Sequence, residues 1–116
     1  MHFKLIIALV DDSKTTDVIK AARSAGATGA TIVGDARGEG LEPRKTFFGL
    51  TMEASRDMVM FLVEEHLSRN ILECIAEVGG FRKRSGQGVA FQLDVEDAIG
   101  LERQIDTLIE EVEEQL

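Results

Sequence analysis

Few side chains in this 116-residue chain have the types and spacing for chemistry. His2 and His66 have no Ser or Cys partner in a recognisable motif, and no GxSxG, HExxH or GxxxxGK[ST] sequence occurs. His66 falls in the first turn of an expected helix and reads as a solvated surface residue. Cys74, the only cysteine, lies in or beside an apolar helical stripe and reads as a small packing residue. A single Cys with no CxxC or Cys/His cluster supplies neither an internal disulfide nor a zinc ligand set. Met58 and Met60 alternate on an expected strand, the pattern of core filling. Paired carboxylates cluster near the C-terminus, where a solvated helix face is their expected use. No catalytic residue and no metal ligand is assigned, and the chain reads as a non-enzyme.

Two glycine loops remain, Ala36-Arg37-Gly38-Glu39-Gly40 and Arg82-Lys83-Arg84-Ser85-Gly86-Gln87-Gly88. Glycines let backbone N–H groups approach an anion closely. Three consecutive cations also concentrate positive field locally in an acidic chain. Together the loops suit a phosphate-bearing ligand, although either is equally compatible with an ordinary turn. The 13 Lys and Arg against 21 Asp and Glu leave a formal charge of −8. That balance argues against nucleic acid and against adhesion to acidic lipid surfaces as partners.

The elements that would position these loops follow from periodicity. Lys4 to Val10 is an apolar run expected as a buried central strand. It has six consecutive apolar residues from Leu5, fewer than a secretory or membrane-spanning segment needs, so a cytoplasmic protein is expected. Asp11-Asp12-Ser13 offers helix caps, and Val18, Ile19, Ala21, Ala22 and Ala25 recur at helical spacing before Gly26. A second strand is expected over 29–33, and a third over 57–63. Between them, 34–51 carries Gly34, Gly38, Gly40, Pro43 and Gly49 with no periodicity, a long loop of the kind that is usually functional. A second helix opens at Glu64-Glu65, with Leu67, Ile71, Leu72, Ile75 and Val78 in one stripe ending at Gly79-Gly80. A fourth strand over 89–95 and an amphipathic helix over about 102–115, with Ile105, Leu108, Ile109 and Val112 apolar, complete the chain.

The order predicts one α+β domain over 1–116 with a ferredoxin-like split βαβ core (βαββαβ) over 3–101. Its four-stranded antiparallel sheet would carry both main helices on one face, with strands two and four at its edges. Ile6, Ala8, Met58 and Met60 are expected on the other face, uncovered unless the last helix or a second copy covers it. One subunit would hold the two glycine loops apart, and neighbouring subunits would bring them together.

This layout resembles the nitrogen-regulatory P-II family and its P-II-like relatives. The likeness spans roughly 3–101 and rests on three segments in order. They are Ala25-Gly26-Ala27-Thr28-Gly29-Ala30-Thr31, the loop base Ala36 to Gly40, and Gly86-Gln87-Gly88, followed by the strand Phe91-Gln92-Leu93-Asp94-Val95. The resemblance implies a homotrimer with three intersubunit clefts for adenine nucleotides (AMP, ADP or ATP), acting as effectors and not as cofactors. It also implies signal transduction through the protruding loop, here about 39–51, to a membrane transporter or metabolic enzyme, with nitrogen metabolism as the setting. By that likeness Gly29 and Thr31 line the adenine pocket, Gly38 sits at the loop base, and Gly86 and Gly88 hold phosphates. Arg44, Lys45, Phe47 and Phe48 form a basic and aromatic loop tip that either docks on a partner or caps the sheet.

The chain departs from the family at several cations. Val89 stands for the lysine after the second phosphate-loop glycine, and Gly100 and Glu102 stand where two C-terminal arginines are usual. The modifiable loop tyrosine is missing, as is the glutamine that assists 2-oxoglutarate binding; Leu41-Glu42 occupy that region. Either the effector carries fewer phosphates, or Arg37, Arg82, Lys83 and Arg84 substitute for the lost cations. The alternatives are a CutA-type metal- or ion-tolerance trimer and a trimer with degenerate clefts that serves only protein interaction.

Overall fold

The computed structural model describes residues 2–36, 46–47, 50–51, 56–83 and 88–101. β1 (Phe3–Asp11) leads through a 3-10 turn (Asp12–Lys14) into α1 (Thr15–Ser24) and then β2 (Thr31–Ala36). A short hairpin of β3 (Thr46–Phe47) and β4 (Leu50–Thr51) precedes β5 (Arg56–Glu64), α2 (Glu65–Gly79) and β6 (Gly88–Val95). The main sheet runs β2-β5-β1-β6, with every neighbouring pair antiparallel. This is the ferredoxin-like arrangement expected from the element order, with β2 and β6 at the edges.

The helices begin and end for local reasons. Asp11 caps the 3-10 turn, accepting from the Ser13 backbone N–H at 2.9 Å and the Ser13 hydroxyl at 2.7 Å. Those hydrogen bonds, the hydroxyl's first, hold its carboxyl below the usual range. Glu64 caps α2 through the His66 N–H at 2.7 Å, and its other oxygen meets His66 Nδ1 at 2.8 Å. His66 is thereby engaged in a cap, and that contact raises its pKa. Both helices stop where the backbone turns left-handed, at Gly26 (φ 118°) and Gly80 (φ 69°).

The core lies between the helices and one sheet face. Val18 and Ala22 of α1 and Leu67, Ile71 and Ile75 of α2 meet Ile6, Ala8, Val10, Val59, Phe61 and Val63. This corrects one expectation. Ile6 and Ala8 are fully buried under the helices, not on the open face. The open face carries Leu5, Ile7 and Leu9 instead, beside Met58 and Met60, which lie where expected. The apolar run Leu5 to Val10 has no polar member to reveal which alternate set faces inward. Val33, Phe91 and Leu93 extend the open face and are exposed.

Two boundaries also move. β2 begins at Thr31, not Gly29, and runs through Gly34 and Asp35 to Ala36. A register irregularity between Val33 and Ala36 lets the strand pass its glycine without losing β5. The hairpin β3–β4 stands within the stretch expected to be irregular. The expected terminal helix over 102–115 lies outside the described residues. No helix among the described residues is long and apolar enough to cross a membrane.

Candidate functional site

At the β2 edge, the segment Thr28 to Thr31 meets β5 and the returning chain at Leu101. Thr28, Gly29, Ala30, Thr31, Met60, Leu62 and Leu101 line a half-open cavity of about 410 Å³. Gly29 and Thr31, both expected in a ligand pocket, therefore line one cavity. Residues 27–30 belong to no helix or strand, so their backbone groups lie outside the sheet ladder. Met60 and Leu62 supply apolar walls from the open sheet face, and the threonines supply hydroxyls. Apolar walls on one side and hydroxyl and backbone polar groups on the other suit a flat heteroaromatic ring. A Cβ on Gly29 would meet nothing within 4 Å, so glycine is not sterically required there.

The basic loop lies at the other edge. Arg82 and Lys83 sit on the exposed turn that follows α2. Arg82 grips Glu73 with both terminal nitrogens, Nη1 to Oε2 at 2.8 Å and Nη2 to Oε1 at 3.1 Å. Arg69, one helical turn before Glu73, pairs with the same carboxylate. The hydrogen bond from Arg82 leads the effects that hold the Glu73 carboxyl below its usual range. Arg84, Gly86, Arg37, Gly38, Arg44, Lys45 and Phe48 lie outside the described residues. Phe47 is placed as part of β3 by its backbone.

Gly88 opens β6 under tight steric control. A Cβ there would lie 2.8 Å from the Leu9 carbonyl oxygen and would overlap the Phe81 ring. A Cβ on Gly79 would likewise fall 2.9 Å from Phe81 Cδ1. The ring is thus wedged between the end of α2 and the start of β6, which pins both ends of the basic loop. Because the Leu9 carbonyl is backbone and cannot swing aside, Gly88→Ala is expected to destabilise the fold by about 1–3 kcal/mol. Urea unfolding of that variant beside the parent checks this, and an unchanged midpoint contradicts it.

Register places the two halves. Gly88 stands level with Val10 and Asp57, whereas Thr31 stands level with Met60, Ile7 and Phe91. Ala36, after which the long loop departs, is level with Arg56 and Asp11, so both loops leave the same end of the sheet. β5 and β1 separate their edges, a span of about 14 Å at ordinary strand spacing. One chain does not bring them together.

Sequence reading missed several residues at this end. Arg56 is 7% exposed, with Nη1 3.9 Å from Asp11 Oδ2. The Thr15 hydroxyl donates to Asp57 Oδ2 at 2.6 Å, tying α1 to the start of β5. Leu101 and Leu62 were also missed as cavity walls. The one available signal was Arg56-Asp57, a charge pair set directly before an apolar strand.

Comparison with known proteins matches residues 3–105 to the family described as Nitrogen regulatory protein P-II. No curated protein sequence matches the chain. Among solved structures it is similar to a PII-like signalling protein of Thermus thermophilus, with 20% identity over 82% of this chain and 88% of that one, and a TM-score of 0.60. It is also similar to CPII of Thiomonas intermedia, a nitrogen regulatory PII-like protein. The apo form of CPII gives a TM-score of 0.62 and 20% identity over 82% of this chain and 90% of that one. The form bound to ADP, AMP and acetate gives 0.59 and 21% over 83% and 90%.

Proposed function

This chain belongs to the P-II family of nitrogen regulatory proteins, and from that premise we propose that it is a trimeric, non-enzymatic sensor of an adenine nucleotide. The cavity beside Gly29 and Thr31 carries the reading: it opens at a sheet edge, on the apolar face that a second copy would cover. The base would lie against Met60 and Leu62, and its phosphates would extend towards a neighbouring subunit's 82–88 loop. Lys83 and Arg84 are the cations proposed to take the place of those absent at Val89, Gly100 and Glu102. CPII, a structural neighbour, binds ADP and AMP, which supports the shorter nucleotides over ATP. Occupancy at the loop base, with Arg37 and Gly38, would shift the population of the 39–51 loop. Its tip, Arg44, Lys45, Phe47 and Phe48, would then report to a transporter or metabolic enzyme, in nitrogen metabolism or another nutrient pathway.

Calorimetric titration with ATP, ADP, AMP and cyclic AMP tests this, alongside light scattering for the trimer. ADP or AMP is expected to bind more tightly than ATP. No heat with any of the four would remove the nucleotide and leave the second reading, a trimer serving only protein interaction. The engagement of Arg82 by Glu73 is the observation that favours that second reading. No group of three or more His, Cys, Asp or Glu that could hold a metal occurs among the described residues.

A further inference from the structure

Arg82 lines a cavity together with the start of β6, yet its guanidinium is already engaged. Both of its terminal nitrogens bond Glu73 in the fork geometry that arginine uses for carboxylates and phosphates alike. The pair does not stand apart from the glycine loop. Arg82, Glu73, Arg69, Phe81, Gly88 and Val89 all line one cavity of about 250 Å³ between α2 and the start of β6.

We infer that Glu73 is a positioning residue for anion recognition, an internal counter-anion that a ligand phosphate must displace from Arg82. Three features make that exchange easy. The Arg82 side chain is 71% exposed, so it can leave Glu73 without disturbing the core. Phe81, wedged against Gly79 and Gly88, fixes the backbone next to Arg82, so only the side chain has to swing. Arg69 stays on Glu73 when Arg82 departs, and the carboxylate is not left without a cation. Glu73 thereby lowers affinity for anything anionic at Gly88 and sets the concentration at which the sensor responds.

The inference rests on the nucleotide reading above, and the experiment separates the two. ADP and adenosine are titrated by calorimetry into the parent protein, Glu73→Gln, Arg82→Ala and the double variant. Glu73→Gln keeps the side chain's shape and removes its charge. It is expected to tighten ADP about three- to tenfold, the modest effect suited to an exposed pair, and to leave adenosine, which has no phosphate, unchanged. Arg82→Ala is expected to weaken ADP, and on that background Glu73→Gln should change nothing. A gain that persists without Arg82 marks a general charge effect and overturns the inference, as does an equal gain for adenosine or no gain at all. If the parent gives heat with ADP and Glu73→Gln matches it, the inference alone falls. If the parent gives none, the nucleotide reading falls and takes the inference with it.

Discussion

Replacing Ile7 by Glu is expected to leave the chain folded and convert the proposed trimer into a monomer of 12.7 kDa. Ile7 stands near the middle of the open face, across from Met60 on one side and Phe91 on the other. Around it lie Leu5, Leu9, Met58 and Leu62, half-buried, with Val33, Phe91 and Leu93 exposed. A contiguous apolar surface of that kind is poorly tolerated in water and marks an interface. A carboxylate placed there costs little in a single subunit, where water still reaches it. Between subunits it would be desolvated without a partner, at several kcal/mol per copy. Light scattering reads the mass, and far-ultraviolet circular dichroism confirms the fold. A variant that keeps three times the monomer mass contradicts the assignment of this face. A parent that is already monomeric contradicts the trimer.

The fold was legible where two signals agreed. α2 was readable because its apolar stripe and its terminal glycines pointed to the same segment, and it ends within a residue of the expected place. β1 was readable as a strand, but not as to which side it shows the helices, because both of its alternating sets are aliphatic. Burial then follows from tertiary placement: Ile6, Ala8 and Val10 are fully buried while Ile7 and Leu9 are not. The displaced start of β2 has a similar cause. Gly29 and Ala30 looked like strand because Thr31 to Val33 follow them, but pairing with β5 begins only at Thr31.

The candidate site was legible in its pieces and not in their connections. Gly29 and Thr31 share a cavity whose walls Met60 and Leu62 come from β5, far along the chain. Nothing in their local spacing marks them as other than core. The Arg82–Glu73 pair is harder still. Its members stand nine positions apart, across the end of α2 and a turn, so no helical spacing predicts the contact. Nothing in the run Arg82-Lys83-Arg84 reveals the carboxylate that engages Arg82.

The adjacent rung of the same sheet carries the opposite expectation. Phe61 pairs with Ile6 across β5 and β1, both fully buried beneath the helices. Phe61 is the largest of the fully buried side chains among the described residues. Phe61→Ala would empty the space between the sheet and the helix residues Val18, Ile71 and Ile75, and a close-packed core refills such a void only partly. The expected loss is about 3–5 kcal/mol of unfolding free energy, a large share of the stability of a domain this size. Urea denaturation in the Ile7→Glu background, where no second copy covers the open face, measures it. Met60→Ala beside it should cost the fold far less, since Met60 is only half-buried. Equal losses at the two positions would mean that the open face is as closely packed as the core, and so has no surface to offer a second copy.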